Sequence, residues 1–225
     1  MTFLLTNDDG IDAPGIKALY EALDRRGVWV APTLQHSGCG HRVTTDVPIT
    51  VEKRDSDRYA VHGTPADCTR LGLMHFYPET EWVIAGINAG GNLGIDMYLS
   101  GTVAAVREAA ILGKKAIAIS HWINRPLTID WTWASRWSAI VLDVLWQKPL
   151  PPQHFWNVNL PHLTPDDPDP ELIFCEPSRD PLLVEFKVEG STFSYQGEYS
   201  QRPRQPGSDV DICFGGNIAI TQLRI

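Results

Sequence analysis

Two adjacent carboxylates, Asp8 and Asp9, stand between the apolar run Phe3-Leu4-Leu5 and Gly10. On an extended strand, neighbouring side chains point to opposite faces. Both can converge on one point only where the backbone turns, and Gly10 suits a tight turn. Two like charges this close repel, which raises a pKa or calls in a cation. A hard divalent ion with oxygen ligands relieves them. The competing reading is a helix cap and turn in which the aspartates bond their own backbone.

Three other stretches bring polar atoms that could join this pair. Ser37-Gly38-Cys39-Gly40-His41 holds a hydroxyl followed by two glycines, and Gly86-Ile87-Asn88-Ala89-Gly90-Gly91-Asn92-Leu93-Gly94 holds two amides. Ser100-Gly101-Thr102 precedes an apolar segment and reads as a helix start. Each has an ordinary explanation: Ser37 as a turn cap, Asn88 and Asn92 at left-handed turn positions, Ser100 or Thr102 as a plain N-cap. Taken together, two carboxylates, a hydroxyl and an amide carbonyl suit Mg²⁺, Mn²⁺ or Ca²⁺ better than zinc. The free N–H groups of a helix start form an anion site suited to phosphate. A metal beside a phosphate site points to phosphoryl chemistry with water as nucleophile.

The elements needed to position these groups are legible. A strand over about 2–5 leads into the Asp8-Asp9 turn, and Pro14 suits the first turn of a helix. Ile16, Leu19, Tyr20 and Leu23 then recur on one helical face. Gly27 ends that helix before a strand over 28–31, giving a right-handed βαβ unit with the aspartates at the carboxyl end of its first strand. Short β-rich pieces fall at 49–51 and 59–61. Thr64-Pro65-Ala66-Asp67 is a capping box with Asp in place of Glu, opening a helix to about His75. Strands follow at 82–85 and 116–120, and a helix at 100–112 packs through Val103, Val106, Ala110 and Ile111. The glycine-rich run 86–94 reads as loop, neither helix nor strand. Asp130 caps a helix over 131–145 whose stripe of Trp133, Trp137, Ile140, Val141, Val144 and Leu145 reads as core or interface. Another strand is expected at 156–159. Beyond about Pro161 the pattern changes: a Pro/Asp loop, an exposed hairpin between about 182 and 199, a short helix at 209–214 and a strand at 218–223.

With 43% apolar and 20% charged residues the 225-residue chain has the composition of a soluble globular protein. A net charge of −8 without a basic stretch argues against nucleic acid polymers as partners. No segment approaches the apolar length of a membrane span, and no secretory leader pattern is visible. Cys39, Cys68, Cys175 and Cys213 lie far apart, without a Cys-x-x-Cys pair. The expectation is a cytoplasmic protein with reduced thiols.

Leu4-Leu5-Thr6-Asn7-Asp8-Asp9-Gly10, with Ala13-Pro14-Gly15-Ile16 behind it, resembles the opening of the survival protein SurE family. Gly63-Thr64-Pro65-Ala66-Asp67-Cys68, the 86–94 run and Ser100-Gly101-Thr102-Val103-Ala104-Ala105 resemble its next signatures, so that the likeness spans residues 1 to about 120. The resemblance implies an α/β fold: a three-layer, Rossmann-like, mostly parallel sheet with a protruding β-hairpin and a C-terminal extension. It implies a single domain with its core at about 1–160 and the hairpin and C-terminal segment at about 161–225. It also implies a phosphatase that needs one divalent cation, Mg²⁺ or Mn²⁺, and acts on nucleoside 5′- and 3′-monophosphates. By the resemblance Asp8, Asp9, Ser37 and Asn88 are metal ligands, and Asn92, Ser100, Gly101 and Thr102 contact phosphate. Asp8 and Asp9 are the catalytic pair, Asp9 orienting or deprotonating the attacking water. A homodimer or homotetramer is implied as well.

The chain departs from the family around Ser37. Thr33-Leu34-Gln35-His36 replaces a polar Asp-Arg-containing loop, and Cys39-Gly40-His41-Arg42-Val43-Thr44 replaces a Ser-rich run. His41 and Arg42 read as a solvated loop pair, with contact to substrate as the alternative. This altered loop is what favours the alternative of a non-catalytic nucleotide or metal sensor. An aspartyl-phosphate phosphatase lacks support because its Asp-x-Asp spacing is absent, and a dinucleotide oxidoreductase because no Gly-x-Gly-x-x-Gly follows the first strand.

Overall fold

Phe3 and Leu5 face one side of the first strand, Leu4 the other, and all three are buried. A strand with no solvent face belongs in the middle of a parallel sheet covered by helices on both sides. The computed structural model, which describes residues 1–124 and 126–225, has that architecture. In chain order come β1 (Phe3–Thr6), α1 (Pro14–Ala22), β2 (Val28–Pro32), β3 (Val51–Lys53), β4 (Arg58–Val61) and α2 (Pro65–Leu71). Next are β5 (Trp82–Ala89), α3 (Gly101–Ile111), β6 (Lys115–His121), α4 (Trp131–Trp146) and β7 (His154–Leu160). The last part holds β8 (Leu172–Phe174), β9 (Phe186–Glu189), β10 (Thr192–Tyr195), α5 (Asp209–Phe214) and β11 (Ile218–Arg224).

Among the described residues the main sheet has nine strands in the order β3-β4-β2-β1-β5-β6-β7-β11-β8. From β4 to β7 every neighbouring pair is parallel. β3 and β11 pair antiparallel with β4 and β7, while β8 runs parallel to β11. From β1 the chain winds outward through β2 and β4, then returns to the other side of β1 for β5 to β7. The switch point is therefore the gap between β1 and β5, and ligands of open α/β sheets bind beyond the strand ends there.

The pleat sorts the core into two layers. Phe3, Leu5, Ile84, Ile117 and Ile119 pack under α1 and α4. Leu4, Val83, Ala85, Ala116 and Ala118 pack under α2 and α3, where Ala105, Ala109 and Ala110 let α3 lie close to the sheet. Gly15 serves the first layer: a Cβ there would lie 1.9 Å from the Ile87 carbonyl oxygen, so α1 can cross β5 only at glycine.

Several boundaries differ from the sequence expectation. β5 does not stop at Ala85; it runs through Gly86-Ile87-Asn88-Ala89 with a register shift against β6 between Ala85 and Asn88. Gly86 is required there, since it has φ +142° and a Cβ would lie 2.3 Å from the Ile119 carbonyl oxygen. α2 forms its capping box as expected but ends at Leu71, and residues Gly72–Phe76 continue as a π-helical turn. Ile111 and Ile140, expected on packed faces, are half exposed. On α4 the buried positions are Ala134, Trp137, Ser138, Val141, Leu142 and Leu145, so Trp137 is core while Trp131 and Trp133 are partly covered. The hairpin is shorter than the span expected, with Gly190-Ser191 between β9 and β10. β8 and β11, beyond residue 161, are integral to the main sheet.

A candidate active site at the sheet switch point

Asn7 shapes the turn that follows β1: its side-chain Nδ2 donates to the Gly10 carbonyl at 2.7 Å, and its Oδ1 accepts the Gly10 N–H at 3.2 Å. Gly10 has φ +104°, which a side chain would resist. The turn is tied to the loop after β2 by the Ile11 N–H on the Pro32 carbonyl and the His36 N–H on the Asp8 carbonyl, at 2.8 and 2.7 Å. The result aims Asp8 and Asp9 into the space between the ends of β1 and β5.

Asp8 is buried, at 4% exposure. Its Oδ1 accepts the Thr102 hydroxyl proton at 2.5 Å. Burial pushes its pKa up to about 6; the Thr102 hydrogen bond opposes the rise and the neighbouring Asp9 charge adds to it. Asp9 lies half-buried at the rim. Its Oδ2 accepts the Ala89 N–H at 3.0 Å, which joins the β1 turn to the end of β5. Its Oδ1 accepts from Gln35 Nε2 at 3.1 Å, and the same amide donates to Ser37 Oγ at 2.9 Å. Ser37 and Asp9 are thus within one shared donor of each other. Asn88 spends its Nδ2 on the Gly90 carbonyl at 2.7 Å and keeps its Oδ1 available.

On the far wall, Ser100 caps α3 by accepting the Val103 N–H at 3.1 Å. Gly101 brings this helix start against Asp8: a Cβ would lie 2.9 Å from Asp8 Cβ and 3.0 Å from both Asp8 Oδ2 and Cys39 Sγ. The amide of Gly101 has no acceptor among the described residues. A free donor of this kind makes a helix start attract anions. Thr102 has its hydroxyl on Asp8, and its backbone amide lies toward the same carboxylate, where it too opposes the rise of the Asp8 pKa.

Asn92 stands apart from this wall and is fastened more firmly than its composition suggests. Its N–H donates to Asn159 Oδ1 at 2.7 Å, its Nδ2 to Ser120 Oγ at 2.8 Å, and its carbonyl accepts from Asn157 and Asn159 side chains at 2.9 and 3.1 Å. Ser120, Asn157 and Asn159 are buried polar residues on β6 and β7 that sequence reading passed over. Asn157 and Asn159 are two apart on one strand, and that period-two pair was the available signal. His41 is not a solvated loop residue. Its Nε2 bonds Glu108 Oε2 of α3 at 2.7 Å, and Glu108, 2% exposed, also takes the Arg70 Nε of α2 at 2.6 Å. A buried carboxylate needs such partners, and here they pin the divergent loop. Arg42 remains exposed.

The donor set at the switch point fits a hard divalent cation. Every side-chain atom offered by Asp8, Asp9, Ser37 and Asn88 is oxygen. The burial that raises Asp8, with the Asp9 charge adding to it, and the Gln35 N–H drawn between Asp9 and Ser37 all mark a place where positive charge is favoured. Beside it lies the free amide of α3, so a phosphate and a cation can meet on one side of the cleft.

The chain matches the family described as Survival protein SurE over residues 3–179. A protein of Synechocystis sp. (strain ATCC 27184 / PCC 6803 / Kazusa), carrying a provisional 5′-nucleotidase description, is 77% identical over 225 residues, all of both chains. The protein of Paramagnetospirillum magneticum described as 5′-nucleotidase SurE is 36% identical over 99% of this chain and 89% of its own. The crystal structure of the SurE protein from Aquifex aeolicus superposes with a TM-score of 0.88 at 32% identity, covering 100% of this chain and 93% of that one.

Proposed function

The chain belongs to the survival protein SurE family, and from that premise we propose that it is a 5′-nucleotidase, a phosphatase releasing phosphate from nucleoside 5′-monophosphates and also from 3′-monophosphates. The observation that carries this reading is the placement of Asp8, next to Asp9 in the same turn, against the N-terminus of α3, with Gly101 allowing the approach. Asp8, Asp9, Ser37 and Asn88 would hold one divalent cation, Mg²⁺ or Mn²⁺. When bound, that ion supplies charge neutralisation at the phosphoryl oxygens and lowers the pKa of water.

The chain's own residues do the rest. The Gly101 and Thr102 amides and Ser100 would bind the phosphate oxygens, and Asn92, whose Nδ2 keeps one N–H beyond its bond to Ser120, would reach the phosphate from the loop after β5. Asp9, at the rim and oriented by the Ala89 N–H, holds the attacking water and takes its proton. Water adds to phosphorus, the P–O bond to the ribose breaks with its electron pair going to the ribose oxygen, and that oxygen takes a proton from solvent to give the nucleoside while Asp9 returns the proton it took. Thr102 keeps Asp8 in place through these steps.

The protein is a single SurE-like domain over 1–225, its core extending past about residue 160 to take in β8 and β11, with the hairpin projecting from the segment between them. Phe186, Val188, Phe193 and Tyr195 on the hairpin are each more than half exposed. Such a patch supports a homodimer or homotetramer. Among the described residues no helix is long and apolar enough to cross a membrane, in keeping with a cytoplasmic location.

The test is phosphate release from a panel of nucleoside 5′- and 3′-monophosphates with Mg²⁺, Mn²⁺ or EDTA. Metal-dependent release that falls about a thousandfold in Asp8→Asn supports the reading. Silence across the panel in a protein that still binds nucleotide and Mn²⁺ moves it to a non-catalytic sensor.

A further inference from the structure

The loop that carries Asn92 is gripped from a second side by residues more than a hundred positions later. Tyr199 donates its hydroxyl to Asp96 Oδ2 at 2.6 Å and approaches the Gly91 carbonyl at 3.4 Å. Arg202 donates Nη1 to the same Asp96 oxygen at 2.5 Å and Nη2 to the Leu93 carbonyl at 3.3 Å. Asp209 accepts the Gly94 N–H at 2.6 Å on one oxygen and the Ser178 N–H at 2.8 Å on the other. The loop's glycines are cut to these contacts. A Cβ on Gly91 would lie 3.2 Å from the Tyr199 hydroxyl oxygen, and one on Gly94, at φ +54°, 2.8 Å from the Ser178 carbonyl oxygen.

Arg202 is 4% exposed and Asp96 8%. A buried ion pair of this kind is weak as a source of stability, because desolvation offsets the attraction. This pair is not even complete, since Asp96 Oδ1 is buried without a partner among the described residues. What the cluster does achieve is positional. The Leu93 carbonyl on one side of Asn92 is held by Arg202, the Tyr199 hydroxyl oxygen, its single proton on Asp96, lies against Gly91 on the other, and Asn157 and Asn159 hold Asn92 itself from the sheet.

We propose that Tyr199 and Arg202, acting through Asp96, are positioning residues that set Asn92 and its loop at the distance needed to close on a substrate phosphate. The inference rests on the nucleotidase reading above. Tyr199 follows the hairpin strand β10 by only a few residues, so the device also couples the state of the hairpin to the phosphate site.

The experiment compares the full-length protein with Tyr199→Phe, which removes one hydroxyl and keeps the ring against Phe214, and with Arg202→Lys. Tyr195→Phe serves as the control, since its hydroxyl bonds Leu183 within the hairpin segment. Amide hydrogen exchange is read over residues 89–95, alongside KM for a nucleoside monophosphate, Ki for inorganic phosphate and Kd for Mn²⁺ alone. Expected for Tyr199→Phe are faster loop exchange and a rise of about three- to tenfold in KM and Ki, the loss of one hydrogen bond. Mn²⁺ affinity stays unchanged, Arg202→Lys recovers less than full phosphate affinity because it cannot span Asp96 and Leu93 together, and the control matches wild type. Unchanged loop exchange overturns the inference whatever the activity, and so does a looser loop with KM and Ki intact. A wild-type protein that releases no phosphate fails the nucleotidase reading and this inference with it; that outcome is distinct because it appears before any substitution.

Discussion

Thr102 reaches from the first turn of α3 to donate its hydroxyl to Asp8 at the end of β1, although the two are 94 residues apart. This bond crosses the switch point and fastens the anion-binding helix start to the carboxylate turn. It also opposes, without cancelling, the cost of burying a charge at Asp8. Asp8 is therefore held for a task that its own stability does not favour, a pattern met at functional sites.

That cost has a measurable sign. The Asp8 pKa is raised to about 6 from an ordinary 3.8. The folded protein therefore holds this proton more tightly than the unfolded chain does. The stabilisation from the protonated group is fully present below about pH 4 and is lost as pH rises through 6. Above that, the buried charge costs up to about 3 kcal/mol. In EDTA, Asp8→Asn is expected to raise Tm at pH 8, with the advantage shrinking toward pH 4. Thermal melts of both proteins across that range check it, and a gap that widens at low pH would contradict the assignment.

What the sequence made legible was what lies contiguous in it. Asp8-Asp9-Gly10 between a strand and a helix, the Thr64/Asp67 capping box and the Ser100 cap all act within a few residues. β5 was misjudged because four glycines in 86–94 argue against a strand, yet pairing with β6 carries the ladder through Asn88 and Ala89; neighbouring strands outweigh local propensity. Ser120, Asn157 and Asn159 were invisible as a group, since only the parallel alignment of β6 with β7 puts Ser120 opposite Asn159. The contacts of Asp96 with Tyr199 and Arg202, and of Glu108 with His41 and Arg70, are likewise set by topology. No spacing rule reaches that far.

Gln35 holds a position that a cation and its ligands would contest. One amide group donates to both Asp9 Oδ1 and Ser37 Oγ, two expected ligands. Each such bond near solvent is worth about 1 kcal/mol net. Gln35→Ala frees both oxygens and is expected to tighten Mn²⁺ binding by about two- to tenfold, read by calorimetry on the protein without nucleotide. Gln35→Glu is expected to tighten it further by adding a third carboxylate. Weaker binding in the alanine variant would mean that Gln35 orients Ser37 as a ligand and does not compete for it.

Gly101 separates packing from chemistry most sharply. Its backbone is ordinary helix, so alanine brings no conformational penalty and even a small gain in helix propensity. The penalty is contact: the added methyl would meet Asp8 Cβ, Asp8 Oδ2 and Cys39 Sγ at 2.9 to 3.0 Å. Overpacking of this kind costs about 1–3 kcal/mol where it cannot relax. Relief requires α3 to back away from β1, which stretches the Thr102–Asp8 bond and withdraws the Gly101 and Thr102 amides from the anion position. Gly101→Ala is therefore expected to lose phosphate affinity and turnover far beyond its loss of Tm. If the Cys39 thiol is instead the main obstruction, Gly101→Ala with Cys39→Ser will recover activity that Gly101→Ala alone has lost. Failure of that rescue would place the obstruction at Asp8, where the side chain has no room to retreat.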